Sequence, residues 1–201
     1  MKLNRRNFIS ASAGIAATIS SPMVFGASRP KVVVIGGGAG GATAARYIAK
    51  DSKGAIDVTL VEPTRSYYTC FFSNLYLGGF RDFDSIGHSY GKLASDYGIN
   101  VVHDWAVDVD SNGKTVSLAG GGTVNYDKLI LSPGIDFVDN SVPGWDLSSQ
   151  NKMPHSYKAG SQTQLLNAQI ENMRQGGTYC CLLYTSPSPR DQRGSGMPAS
   201  A

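Results

Sequence analysis

The sequence predicts an α/β fold organised around a parallel sheet, and three observations carry the prediction. A short apolar run rich in β-branched residues, 31–35, has the length and composition of a strand buried on both faces. A glycine-rich turn and a helical pattern over residues 39–50 follow it directly. Further along, the apolar period changes to alternation over three short runs, which predicts an antiparallel meander beside the parallel sheet.

The glycine-rich turn has the spacing of a dinucleotide-binding motif. Gly36, Gly38 and Gly41 fit G-x-G-x-x-G between the strand and the helix. The first glycine allows a sharp turn, the second lets the backbone approach a pyrophosphate, and the third lets helix and strand pack closely. The first amides of the helix, at Ala39 and Gly40, then face the phosphates, where the helix dipole favours an anion.

An acidic residue follows the second predicted strand, 56–61. It is Glu62, which lies 21 residues after Gly41, where a carboxylate accepts hydrogen bonds from an adenosine ribose. Because 24 glycines in 201 residues make chance matches easy, the order of strand, turn, helix and acid carries the argument. The alternative is a βαβ unit that only packs, with Glu62 as a solvated charge. The acid does not distinguish NAD from FAD, since both carry this ribose.

Cys70 stands in an aromatic loop directly after Glu62. The loop leaves the carboxyl end of the second strand, so it lies on the face where such folds bind ligands. A free cysteine is usually a small buried hydrophobe, and packing is the first interpretation of this thiol. A role beside the cofactor crevice is the second.

The chain then continues through a short helix that ends near Gly98 and a third parallel strand over 99–102. The meander follows, and a buried strand over 127–131 ends at Ser132-Pro133-Gly134, which brings the backbone back to the crevice. A further helix is predicted over 161–174, with Ser161 as its cap.

The N-terminus predicts export. Arg5 and Arg6 form a twin-arginine segment, and the apolar stretch 10–19 is too short for a bilayer, which takes about 20 residues. We therefore expect residues 1–27 to be a removable signal and the protein to work in the periplasm. The net charge of +3 owes much to the two ends of the chain, and no basic stripe indicates nucleic acid. No apolar run predicts a membrane span.

Four stretches together resemble a known family. They are VVVIGGGAGGATAARYI, VEPTRSYYTCFFSN, YDKLILSPGIDF and PHSYKAGSQTQLL. With the element order they resemble the flavoprotein subunits of flavocytochrome c sulfide dehydrogenases, relatives of the sulfide:quinone oxidoreductases. The resemblance implies a Rossmann-like FAD-binding domain over 30–136 and the truncated start of a second, NAD-like domain over 137–179.

The same resemblance implies the cofactor, the reaction and the partner. In that family a cysteine at the Cys70 position forms a thioether with the flavin, so covalent FAD is expected here. Members oxidise sulfide to sulfur or polysulfide and pass electrons to a cytochrome c subunit, with which they form a heterodimer. The FAD-binding residues implied are Gly36, Gly38, Ala39, Gly40, Gly41, Glu62, Cys70, Ala106, Val107, Pro133 and Gly134.

The family pattern fails near residue 179. The family's redox disulfide joins distant cysteines, whereas Cys180 and Cys181 are adjacent and would close only a strained ring, so no catalytic residue is assigned. Residues 180–201 lack a period and are expected to be a non-native or disordered tail. These 201 residues are therefore expected to be inactive alone. Two alternatives stay open: a sulfide:quinone or NADH-type flavin oxidoreductase, and a non-catalytic nucleotide-binding module. No histidine spacing predicts a metal site.

Overall fold

The computed structural model describes residues 28–140 and 143–178. The predicted export signal and the predicted tail from residue 180 lie outside the described residues. The strands and α-helices follow in chain order: β1 Lys31–Ile35, α1 Ala39–Ser52, β2 Asp57–Val61, β3 Ser66–Tyr68, α2 Ser73–Leu77, β4 Gly87–Ser89, α3 Gly91–Tyr97, β5 Asn100–Val102, β6 Ala106–Asp110, β7 Thr115–Leu118, β8 Thr123–Asn125, β9 Lys128–Leu131 and α4 Ser161–Glu171.

The main sheet is parallel and has the strand order β5-β2-β1-β9. β1 lies in its centre, where Val33 is paired with Thr59 on one side and with Leu129 on the other. The three valines of β1 are buried, as expected of a strand covered on both faces. The predicted α/β fold is therefore confirmed, and the parallel strands begin or end within one residue of the predicted bounds.

Each face of the parallel sheet has its own cover. On one face, Ala45 and Ala49 of α1 pack against Val34 and the neighbouring apolar residues. On the other, Val116 at the centre of β7 packs against Val33 and Val61. Strands β6, β7 and β8 form the predicted antiparallel meander, so the change of period along the sequence marks the layer that covers the second face.

A two-stranded antiparallel sheet, β3-β4, was not predicted. Tyr67 of β3 is paired with His88 of β4. Next to this sheet the rings of Tyr68 and Phe83 stack with centroids 4.6 Å apart, and Tyr76 meets Phe83 edge-on at 5.2 Å. The aromatic loop therefore contains a small sheet of its own, and one of its strands, β3, lies just before Cys70 in the chain.

The last helix, α4, begins at Ser161 as predicted and ends at Glu171, three residues before the predicted end. The prediction that Ser161 caps it is wrong, because Gly160 is the N-cap residue and Ser161 is already helical. The Gly160 N–H donates to the hydroxyl of Thr163, which is fully buried. Within the described ranges, no helix is long and apolar enough to cross a membrane.

An aromatic cluster forms between β9 and α4 around Phe137. The ring centroids of Phe137 and His155 lie 4.3 Å apart, and Trp145 lies 5.8 Å from Phe137. Lys158 pairs with Asp136 at 2.9 Å beside the cluster. Burial and the charge of Lys158 lower the pKa of His155, and Asp136 opposes them only in part. The cluster therefore disfavours the charged form of His155.

We expect this histidine to make folding weaker in acid. Since its folded pKa is lowered, the unfolded chain binds the proton more readily, and stability falls as pH drops through the unfolded pKa of about 6.5. The loss of unfolding free energy between about pH 7 and pH 5 is expected to be larger in the native chain than in His155→Asn. Denaturant titrations at both pH values measure it.

The exposed His88 provides the matched control for this titration. The variant His88→Asn removes a histidine that lies on the surface and outside the aromatic cluster, so it controls for the substitution itself. Equal pH dependence in all three proteins would contradict the role given to the burial of His155.

Candidate functional site

The glycine turn between β1 and α1 is packed so tightly that two of its glycines admit no side chain. Gly36 has φ +97°, and an added Cβ would overlap the carbonyl oxygen of Ser132 at the end of β9. A Cβ on Gly41 would overlap the carbonyl oxygen of Gly36 itself. The two positions therefore fix the sharp turn and the close approach of helix to strand that the sequence predicted.

The middle of the turn is open. An added Cβ on Gly38 would meet only the ring of Tyr67, at 3.8 Å. Gly38 is the N-cap of α1, no side chain caps the helix, and its first turn carries no acidic residue. Ala39 and Gly40 are exposed. Because uncapped amides and the positive end of the dipole attract an anion, this cradle fits a pyrophosphate.

Glu62 lies against this turn. One carboxylate oxygen, Oε2, accepts the N–H of Gly37 at 2.7 Å. The other, Oε1, accepts the N–H and the hydroxyl of Thr64 at 2.9 and 2.6 Å. A carboxylate offers about four acceptor positions. These bonds therefore leave room for a ribose hydroxyl, and Glu62 is a hydrogen-bonded part of the turn rather than a merely solvated charge.

Cys70 is exposed. It begins a short 3-10 helix, Cys70–Phe72, which Thr69 caps through its side chain. The hydroxyl of Ser73 donates to the Cys70 carbonyl at 2.9 Å. These bonds hold the backbone on both sides of the residue and leave its side chain open. The interpretation of Cys70 as a buried packing residue is therefore wrong.

The loop that carries Cys70 begins beside the glycine turn, because the ring of Tyr67 in β3 lies next to Gly38. The turn after β9 also packs against the glycine turn, through the Ser132 carbonyl that faces Gly36. Pro133 and Gly134 follow it and are exposed, with φ +79° at Gly134. Residues far apart in sequence thus meet around one turn.

Two of the FAD-binding residues that the resemblance implies, Ala106 and Val107, begin β6. Ala106 is half-buried and packs against the core between the sheets, whereas Val107 is 62% exposed. The pairing of β6 with β7 shifts register between Ala106 and Asp108, so Val107 lies on a bulge. It therefore offers its side chain to solvent and not to the meander core.

Two residues of the site escaped sequence analysis. Thr64 binds Glu62, and Tyr90 donates from its hydroxyl to the Gly37 carbonyl at 3.0 Å. The signal for Thr64 was its place two residues after the acid, close enough for the Glu62 carboxylate to accept both its N–H and its hydroxyl. Among the residues that the structure describes, no group of three or more His, Cys, Asp or Glu is arranged to hold a metal ion.

Residues 30–174 match the family of pyridine nucleotide-disulphide oxidoreductases. The chain belongs to that family. The match covers the parallel sheet, the meander and α4, and it includes the glycine turn. The cradle fits the flavin dinucleotide that this membership supports.

This chain has two curated relatives whose names refer to sulfide. It is 54% identical over 44 residues to the flavoprotein chain of sulfide dehydrogenase (flavocytochrome c) from Chlorobaculum thiosulfatiphilum, a match covering 22% of this chain and 90% of that one. It is 31% identical over 105 residues to sulfide-quinone reductase from Aquifex aeolicus, over 51% of this chain and 24% of that one. The chain thus spans about a quarter of the second relative. The resemblance predicted from the sequence is confirmed.

A solved structure agrees on the fold. The NAD-dependent persulfide reductase from A. fulgidus superposes with a TM-score of 0.59 at 24% identity, over 70% of this chain and 27% of that one. At this identity the likeness speaks for the fold alone. It supports the Rossmann-like α/β arrangement of the described elements.

Proposed function

We propose that this chain is the FAD-binding portion of a sulfide dehydrogenase that oxidises sulfide to sulfur or polysulfide and passes the electrons to a cytochrome c subunit. The observation that carries the proposal is the exposed Cys70 in a loop that starts beside the glycine turn. Support comes from the relative named as the flavoprotein chain of a flavocytochrome.

Each part of the proposed site has a separate task. The uncapped start of α1 binds the pyrophosphate, and Glu62 binds the adenosine ribose. Cys70 would hold the flavin covalently, as a thioether through its Sγ. Bound FAD supplies the electron transfer, and the protein supplies orientation.

A covalent bond to the cofactor suits a protein that is exported from the cytoplasm. We propose that residues 1–27, with Arg5 and Arg6, direct export by the twin-arginine route, which carries proteins already folded with their cofactor. A flavin attached through Cys70 is not lost by dilution outside the cytoplasm. Location and attachment therefore support each other, and the cytochrome c partner is proposed for the same compartment.

Acid precipitation of the expressed chain tests the proposal. The washed precipitate is expected to keep yellow flavin fluorescence, and its mass is expected to rise by one FAD less two hydrogen atoms. A chain denatured first and then mixed with FAD is the control for trapping. Flavin that washes off would favour a relative of sulfide-quinone reductase. Absence of any flavin after refolding with FAD would favour a nucleotide-binding module without catalysis.

We also expect the 201 residues alone to give no sulfide-dependent reduction of cytochrome c. The chain has three cysteines, and the two besides Cys70 are the adjacent pair Cys180 and Cys181. Thiolate attack by hydrosulfide needs an accessible disulfide beside the flavin. Absorbance of cytochrome c with sulfide present measures this. Reduction above the rate with buffer and free FAD would contradict the expectation, and a full-length sulfide dehydrogenase is the positive control.

A further inference from the structure

Both polar groups of one peptide residue in the glycine turn are held by side chains. The N–H of Gly37 donates to Oε2 of Glu62 at 2.7 Å, and its carbonyl accepts the Tyr90 hydroxyl at 3.0 Å. Glu62 follows β2, whereas Tyr90 precedes α3. Two side chains from separate parts of the chain therefore bind the N–H and the carbonyl of Gly37.

The grip is close. A Cβ on Gly37 would lie 2.7 Å from the Tyr90 hydroxyl and 2.8 Å from Cγ of Glu62. Both Gly37 and Tyr90 are buried, and Tyr90 keeps only 5% of its surface exposed. The bond is thus shielded from water, and its loss would leave a buried carbonyl without a partner, which is costly.

Tyr90 is anchored independently of the turn. Its ring belongs to the core cluster that includes Val34 and Leu60. It also meets the ring of His103 at 5.9 Å, and Nδ1 of His103 lies 3.1 Å from the Glu62 carbonyl oxygen. Burial, followed by the negative charge of Glu62, raises the pKa of Tyr90 to about 12. The hydroxyl therefore stays protonated and donates.

We propose that Tyr90 is a positioning residue that holds the glycine turn in its phosphate-binding conformation. This inference rests on the proposed binding of FAD at that turn. With both polar groups of Gly37 fixed on the protein side, the turn leads directly into the uncapped amides of α1. Losing the hydroxyl lets the turn populate other conformations, and the apparent affinity for FAD falls with the competent fraction.

The test compares two tyrosines at the two ends of α3, because Tyr90 is its N-cap and Tyr97 is its last residue. Tyr90→Phe removes the hydroxyl that binds the turn. Tyr97→Phe is the matched control, because the Tyr97 hydroxyl accepts a bond from Nε of Arg46 at 2.9 Å and does not touch the turn. We expect Tyr90→Phe to weaken binding of FAD to the refolded chain by about tenfold, the effect of leaving one buried group unpaired. Tyr97→Phe is expected to bind as the native chain does.

Amide hydrogen exchange without flavin provides the second readout. In the native chain the Gly37 amide is expected to exchange more slowly than that of Gly122, an exposed turn glycine. The Gly37 amide is expected to exchange faster in Tyr90→Phe than in Tyr97→Phe. The two variants are compared at temperatures equally far below their own unfolding temperatures. Fast exchange of Gly37 in the native chain would overturn the proposal even if Tyr90→Phe failed to fold.

The outcomes separate this inference from the proposed function. If Tyr90 only stabilises the core, Tyr90→Phe lowers the unfolding temperature but leaves FAD affinity and Gly37 exchange at the control values, and the inference is overturned. If the native chain binds no FAD, the proposed function fails. Slow Gly37 exchange that depends on Tyr90 would then still support the grip on the turn, while its link to FAD would be lost.

Discussion

Replacement of Gly41 by alanine is expected to abolish the folded state or to remove most of its stability. The new Cβ would overlap the carbonyl oxygen of Gly36, and both atoms belong to backbone that is held by the sheet and the helix. Overpacking of an interior costs about 1–3 kcal/mol and more where the backbone cannot move. We expect at least about 3 kcal/mol, a large share of a domain stability of about 5–15 kcal/mol. Denaturant unfolding without flavin measures it.

The neighbouring glycine is the matched control. A Cβ on Gly40 would have its nearest neighbour 3.9 Å away, at the hydroxyl of Ser132. Since alanine favours a helix over glycine by up to about 1 kcal/mol, Gly40→Ala is expected to be neutral or stabilising. Equal stability of the two variants would contradict the close packing of α1 on the turn.

The second large effect is expected at Cys70. In Cys70→Ser, acid-stable flavin is expected to fall to nothing, because the hydroxyl of serine does not replace a thiolate in forming the bond. Flavin held without a bond is expected to remain, since the cradle around Gly38 is unchanged. The residue is exposed, so the loss of the thiol is not expected to disturb the fold. Fluorescence of the acid precipitate, compared with flavin bound before acid, measures both quantities.

The other two cysteines provide the control for attachment. The double variant Cys180→Ser and Cys181→Ser keeps Cys70 and is expected to keep all of its covalent flavin. If acid-stable flavin remained in Cys70→Ser and was lost from the double variant, the attachment point would be Cys180 or Cys181. That result would contradict the assignment to Cys70.

The parallel sheet and the meander were predictable because each gives a local signal. β1 is an unbroken apolar run, and β6 to β8 alternate with polar residues between turns rich in glycine. The place of Glu62 followed from its distance to the glycines. These features depend on neighbours within a few residues or on a fixed motif spacing, so one sequence is enough to find them.

The small sheet and the grip on Gly37 were not predictable for the opposite reason. β3 and β4 have three residues each, which is too short for a period. Tyr90 lies 53 residues from Gly37, and nothing near it indicates that its hydroxyl meets the turn. Cap assignment at α4 failed because the buried Thr163, and not Ser161, supplies the hydroxyl that meets the helix start. Each of these depends on tertiary packing.

The central strand gains its two neighbours at very different times during synthesis. β2 follows β1 closely, but the bond from the Lys31 N–H to Oδ2 of Asp127 joins residues 96 positions apart. Until β9 has emerged from the ribosome, the carbonyl of Ser132 cannot pack against the turn at Gly36. The turn at Gly36 is therefore complete only after β9 has been synthesised, because this contact joins residues of long sequence separation.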